Sequence, residues 1–253
     1  MPGPLSGHVA LVTGATGGIG EAVAHRLAAD GAAVALAHLN EGDLASALAR
    51  EITAAGGTAH TFEADLRDPD AVRNLCRQAH ACLGPIDILV SSAGAYPRVT
   101  WADTTPDVWE DLVTTNLTSH YLLAHELTPA MTERRWGRII TIGSVLATAG
   151  RHDLSAYISA KAGLEGLTRA LSRELGPADV TANCVAPGSI AVPAEAAVVP
   201  VPEAMTARQL ARQCVQRRGQ PTDVAAAVAF LATPDAGFIT GQTLRVDGGW
   251  ILG

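Results

Sequence analysis

The sequence predicts a single α/β domain built on a doubly wound parallel sheet of about seven strands with helices on both faces, and three observations carry that expectation. Short β-rich runs alternate along the whole chain with helical stretches of about 12 to 25 residues. A glycine-rich string, Thr13-Gly14-Ala15-Thr16-Gly17-Gly18-Ile19-Gly20, follows the first run and opens the first helix. The chain has 253 residues, 48% hydrophobic and 17% charged, which suits one compact core of the larger sort and excludes a disordered tail protein.

Taken in order, the expected strands are 8–13, 33–38, 58–64, 86–91, 138–142, 180–185 and 242–246, and the expected helices 18–30, 41–55, 69–83, 106–134, 156–175 and 222–232. Strands joined by helical crossovers must run parallel, and crossovers of one hand cover both faces of the sheet. The helix ends agree: Asp68-Pro69 and Thr105-Pro106 each set a capping side chain before a first-turn proline. The stretch 187–215 is irregular, because Pro193, Pro200 and Pro202 with many small residues argue against regular structure until about Thr206. A long irregular insertion in a compact domain is usually functional, so 188–215 is expected to be a lid over a substrate cleft. With no internal repeat or linker, residues 1–253 form one domain.

Composition narrows the function. The formal charge of −7, with 18 basic residues and no cluster beyond Arg134-Arg135-Trp136-Gly137-Arg138, gives no electrostatic footprint for nucleic acid. No apolar run approaches the roughly 18 residues of a bilayer span, and the opening Met-Pro-Gly-Pro lacks a basic leader, so a cytoplasmic protein without a membrane partner is expected. Cys76, Cys82, Cys184 and Cys214 show no C-x-x-C pair and no companion histidine at finger spacing, which points to buried or idle thiols and no metal site.

The Thr13–Gly20 string stands in the strand–turn–helix setting that dinucleotide binding needs. Glycines allow the tight turn and the close approach to a pyrophosphate, whose charge rests on helix N-terminal N–H groups. Asp65 and Ser91-Ser92-Ala93-Gly94 fall at carboxyl ends of the third and fourth strands, where such sheets bind ligands; the capping role open to Asp65 is better filled by Asp68, while ordinary loop chemistry explains Ser91 to Gly94 equally well. Ser144 ends the fifth strand. Tyr157 and Lys161 stand four apart on the next helix and project from one face, beside a seam of Ala160, Leu164, Leu167, Leu171 and Leu175. Of the 18 basic residues only Lys161 is a lysine. An ammonium beside a phenol lowers a pKa of about 10 and lets the tyrosine exchange protons near neutrality.

Together these motifs, spread from Val9 to Trp250, resemble a classical short-chain dehydrogenase/reductase of Rossmann type: the glycine loop, Asp65, Ala93-Gly94, Asn116, Ser144, Tyr157-x-x-x-Lys161, Pro187-Gly188 and the closing Gly241 to Gly249. The tail and Gly137-Arg138-Ile139-Ile140 are most similar to 3-oxoacyl carrier-protein reductases and polyketide ketoreductases. The resemblance implies that Tyr157 is the general acid/base, that Ser144 orients the substrate oxygen, that Lys161 holds the nicotinamide ribose and that Asn116 positions a relay water. It also implies cofactor contacts from Gly14, Thr16, Gly18, Ile19, Gly20, His38, Asp65, Leu66, Ser92, Ala93, Gly94, Tyr157, Lys161, Pro187, Gly188 and Ile190. Ser92 departs from the family's usual Asn, and Val192 from a common Thr.

The implied activity is an NAD(P)H-dependent ketoreductase acting on a small-molecule or carrier-bound ketone and assembled as a homotetramer or homodimer. Alternatives are an NAD-dependent alcohol or sugar dehydrogenase running oxidatively and a non-catalytic dinucleotide sensor, which typically loses the Tyr/Lys pair. In this fold a carboxylate at the end of the second strand selects NAD. Here that position is His38, followed by Leu39 and Asn40, so NADP is expected over NAD, with His38 on the 2′-phosphate, although Gly17 stands where many NADPH enzymes carry a basic residue.

Overall fold

The computed structural model describes residues 2–192 and 203–252. Seven parallel strands form one sheet in the order β3-β2-β1-β4-β5-β6-β7. They are β1 (Val9–Thr13), β2 (Ala33–His38), β3 (Thr58–Glu63), β4 (Ile88–Ser91), β5 (Gly137–Ile142), β6 (Val180–Pro187) and β7 (Thr243–Val246). The helices are α1 (Gly18–Ala29), α2 (Gly42–Ala54), α3 (Pro69–Leu83), α4 (Pro106–Val113), α5 (Ser119–Arg134), α6 (Leu146–Ala149), α7 (Ser155–Leu175), α8 (Glu203–Leu210) and α9 (Pro221–Ala232). The strand order reverses between β1 and β4, and the crevice at their carboxyl ends is where an open α/β sheet binds its ligand.

The alternation of side chains along each strand builds two cores. Ala10, Val12, Val34, Leu36, Ile88, Val90 and Ile140 face α1, α2 and α9 through Val23, Leu27, Leu48, Ile52, Val224 and Val228. Leu11, Ala35, Leu89, Ile139 and Ala182 face the opposite way, against α3 and α5 through Val72, Leu75, Ala79, Leu123, Leu127 and Met131. Both capping signals work as the sequence suggests: the Asp68 carboxylate accepts from the Asp70 N–H at 2.8 Å and the Thr105 hydroxyl from the Val108 N–H at 3.3 Å.

The structure departs from the expected elements in three places. The helix expected over 106–134 is two helices joined by a π-helical turn, Thr114–Thr118, with Asn116 inside it. A short helix, α6, follows Ser144, and α8 begins at Glu203 rather than near Thr206. Of the stretch expected as a lid, residues 193–202 lie outside the described residues. Its two flanks are tied down: Ala191 and Gly219 exchange backbone bonds with the other side of an Ile190–Gly219 bridge, and the N–H groups of Cys214 and Val215 both donate to the Gly248 carbonyl.

Among the described residues no helix is long and apolar enough to cross a membrane. Leu11 is fully buried on β1 between Ala35 of β2 and Leu89 of β4. Leu11→Ala is expected to lower the unfolding free energy by about 2–5 kcal/mol, the range for a leucine cavity that collapses poorly. A urea-denaturation loss below about 1 kcal/mol would show that this layer repacks freely.

Candidate active site

The site is assembled at one edge by the segments that follow β1, β4, β5 and β6. Where β1 ends, the Thr13 hydroxyl accepts from the backbone N–H groups of Ser92 and Ala93 at 3.0 and 3.2 Å, which locks the glycine loop to the end of β4. The fit there admits no side chain. Gly14 has φ +60° and its absent Cβ would lie 3.0 Å from Ala93 Cα, while a Cβ on Gly20 would lie 2.1 Å from the Gly14 carbonyl oxygen. Gly17 caps α1 without a side-chain hydrogen bond, so the first-turn N–H groups of Gly18, Ile19 and Gly20 depend on a ligand or water. That is the donor set a pyrophosphate takes at a helix N-terminus, and these residues fit one.

The side of the crevice at the ends of β2 and β3 is built from His38, Glu41 and Asp65. His38 is buried at the end of β2, and its Nδ1 has no hydrogen-bond partner among the described residues. Glu41, three residues further on, accepts a hydrogen bond from the Thr16 hydroxyl of the glycine loop. Asp65 is engaged by Arg67, whose Nη2 lies 2.7 Å from Oδ2 and whose backbone N–H donates to Oδ1; these bonds hold its carboxyl below the usual carboxylate range. Arg67 reaches on to Asp111 of α4 at 2.9 Å. Leu66 lies beside Asp65 and packs against the α3 and α5 core.

On the opposite side, Ser144, Tyr157 and Lys161 converge. Ser144 Oγ accepts from the Leu146 N–H at 3.2 Å, and its hydroxyl lies near enough to Tyr157 to favour the ionised phenol. The Lys161 ammonium is fully interior: Nζ donates to the Ile142 carbonyl at 2.8 Å and stands 5.8 Å from the Tyr157 ring centroid. Sequence reasoning places this pair beside the core seam, but Lys161 lies within it, on the buried face with Ala156, Ala160, Leu164 and Thr168. Burial draws the Lys161 pKa down to about 8. Tyr157 moves the other way. Burial raises its pKa, Ser144 offsets part of the rise, and Tyr96, whose ring centroid is 6.1 Å away, adds to it. A phenol lowered by a nearby ammonium is therefore not what this arrangement produces.

Asn116 owes its position to the π turn. Its Nδ2 donates to the carbonyls of Ala95 and Leu112, both at 2.9 Å, and its Oδ1 accepts from the Ala95 N–H at 3.1 Å. Both side-chain donors are used, so the side chain clamps the loop after Gly94 and has no N–H left for a water. A Cβ on Gly94 would lie 2.7 Å from Asn116 Oδ1 and 3.5 Å from Lys161 Nζ, so only glycine leaves this floor open. Pro187 and Gly188 end β6 against the tail, where the Pro187 carbonyl accepts from Val145 and the Gly188 N–H donates to Val246. Ile190 is buried and Val192 packs beside it on the α1 and α9 core.

One residue that the sequence does not single out sits behind this floor. His120, four residues after Asn116, is wholly buried with neither ring nitrogen in a hydrogen bond among the described residues. Burial first, and the Lys161 charge second, push its pKa well below 6.5; the Ala93 backbone opposes them weakly. Glu41 was equally silent in sequence, since its contact with Thr16 spans 25 positions.

Known proteins with this geometry are numerous. Residues 14–251 match the family model described as enoyl-(acyl carrier protein) reductase. The chain is 36% identical over 251 residues to nodulation protein G of Azospirillum brasilense, covering 97% of this chain and 98% of that one. It is 38% identical over 248 residues to the 3-oxoacyl-(acyl-carrier-protein) reductase of Escherichia coli, covering 98% and 99%. Among solved structures, a blue fluorescent protein from a metagenomic library in complex with NADPH superposes with a TM-score of 0.90 at 38% identity, over 98% of this chain and 100% of the other.

His120 makes stability depend on pH. Its folded pKa is depressed, so the unfolded chain binds the proton first as pH falls, and stability drops below pH ~6.5 by up to about 1.4 kcal/mol per pH unit. His120→Leu is expected to remove that part of the acid sensitivity and, by deleting two orphaned nitrogens, to stabilise the protein at pH 7.5 by about 1–3 kcal/mol. Urea unfolding of both proteins at pH 5.5 and 7.5 checks this; the same pH dependence in each would mean that His120 titrates freely.

Proposed function

The chain belongs to the short-chain dehydrogenase/reductase family of NAD(P)-dependent oxidoreductases, and on that footing we propose that it is a ketoreductase using NADPH, with NADH the second choice. The observation that carries the proposal is the convergence of Ser144, Tyr157 and Lys161 opposite the glycine loop, across the one crevice where the sheet order reverses. A bound reduced nicotinamide supplies the hydride. Ser144 and Tyr157 donate to the substrate carbonyl oxygen, and Tyr157 hands its proton to that oxygen as negative charge develops. Burial raises the Tyr157 pKa, so the phenol carries its proton at neutral pH and has it to give. Lys161, with a pKa of about 8, lies close enough to neutrality to take part in restoring that proton. Asn116 serves as a positioning residue for the Gly94–Ala95 floor.

NADPH is favoured because β2 ends on His38 and continues into Leu39 and Asn40, none acidic, and because a similar protein binds NADPH. Glu41 is the opposing charge. The substrate is proposed to be a 3-oxoacyl, polyketide-like or similar ketone, free or on a carrier, by likeness to the Escherichia coli enzyme. A homo-oligomer is proposed as well: Trp101, Tyr121 and the edge-strand Leu244 are all exposed large apolar side chains.

Tyr157→Phe is expected to lower kcat about 10²–10⁴-fold while leaving the NADPH dissociation constant within about twofold, since a proton donor is lost and little volume. Full turnover by the purified variant overturns the mechanism. For cofactor choice, His38→Asp is expected to move the kcat/KM ratio toward NADH by about tenfold or more, and Glu41→Gln to move it toward NADPH. An unchanged ratio in both variants would place cofactor discrimination elsewhere.

A further inference from the structure

Only 4% of the chain is aromatic and it holds three tyrosines, yet two of the three meet at the site. The ring centroids of Tyr96 and Tyr157 lie 6.1 Å apart and the rings are tilted by 56°, a spacing at which aromatic faces and edges attract. Among the described residues no other ring pair includes Tyr157. Tyr96 follows β4, at the carboxyl end of the sheet where such folds bind ligands. Tyr157 is partly buried, whereas Tyr96 is 51% exposed, so much of its surface is left for something other than the protein.

A lone exposed ring on a loose loop needs no function, but the segment that carries Tyr96 is pinned at both ends. Before it, the Asn116 side chain accepts from the Ala95 N–H at 3.1 Å and donates to the Ala95 carbonyl at 2.9 Å, the two-bond exchange by which one strand holds its neighbour. After it, the Val99 N–H donates to the Asp153 carbonyl at 2.9 Å, and Asp153 stands two residues before α7, which carries Tyr157. Pro97 adds a third restraint, because the residue before a proline is confined to extended backbone. A ring held in place loses little freedom when a ligand stacks on it. The other segment beside the start of α7 is α6 with its flank, and at Ala147, Thr148, Ala149 and Gly150 it offers small side chains and no ring.

We propose that Tyr96 is a specificity-determining residue, its exposed surface a platform on which a flat, π-bearing group of the substrate stacks while the adjoining carbonyl meets Tyr157. The inference rests on the ketoreductase reading and deepens it by naming the substrate class: ketones whose carbonyl carbon carries an aromatic or other flat conjugated group.

The test measures kcat/KM with NADPH for acetophenone and for cyclohexyl methyl ketone, which match in carbon count and carbonyl position and differ in whether the ring is flat. Their intrinsic reactivities differ, so the quantity read is the change in their ratio between parent and variants, each checked for folding by circular dichroism. In Tyr96→Leu, which keeps apolar bulk and removes the π face, the aryl-to-cyclohexyl ratio is expected to fall about fivefold or more, through KM. In Tyr96→Phe, which keeps the face and removes the hydroxyl, it is expected to stay within about twofold of the parent. A smaller fall in Tyr96→Leu, or a Tyr96→Phe ratio outside that range, overturns the platform. If the parent reduces a 3-oxoacyl thioester and neither of these ketones, the ketoreductase reading stands and the platform is overturned. If it reduces none of the three, the ketoreductase reading fails, and the platform is judged by calorimetric titration with acetophenone in the presence of NADPH. Binding to the parent that Tyr96→Phe keeps and Tyr96→Leu weakens about fivefold or more supports it; any other result overturns it.

Discussion

The hydrogen bond from Lys161 Nζ to the Ile142 carbonyl is the constraint around which the reacting side of the protein is organised. It ties the middle of α7 to the last residue of β5, two positions before Ser144, and so fixes the distance between the two segments that supply the serine and the tyrosine. An interior ammonium is costly to desolvate and is tolerated only where its donors are met. Ile142 meets one of them. The remaining capacity of the ammonium faces the Gly94 floor, which Asn116 holds open from the other side. Burial first, and this charge second, disfavour the protonated form of His120 behind that floor.

Much of this frame is legible in the sequence because it is local. The seven strands and their parallel order follow from hydrophobic runs of the right length separated by helical stretches, and the caps at Asp68 and Thr105 follow from residues two or three positions apart. The glycine loop is legible for the same reason: Gly14 and Gly20 are forced by contacts made within the loop and with the neighbouring strand end. The Tyr157 and Lys161 spacing needs nothing more than helix geometry.

What could not be read is the environment that decides charge. Sequence spacing brings an ammonium close to a phenol and suggests a lowered phenol pKa, yet burial raises it, with Ser144 opposing in part and Tyr96 adding to the rise. The π turn at Thr114–Thr118 leaves no sequence mark, because its residues read as ordinary helix; only the need to aim Asn116 at Ala95 explains it. The arginine cluster that the sequence shows, around Arg134 and Arg135, is spread over ion pairs with Asp87 and Asp179.

The burial of Lys161 has a consequence outside catalysis. Acyl thioesters spontaneously acylate exposed primary amines, and a protein that handled them would ordinarily accumulate such damage on its surface lysines. This chain has one lysine, and it is 4% exposed. Its surface cations are arginines, whose guanidinium groups are far poorer nucleophiles because they stay protonated. Apart from the chain terminus, the protein carries no exposed primary amine that an activated acyl group could modify.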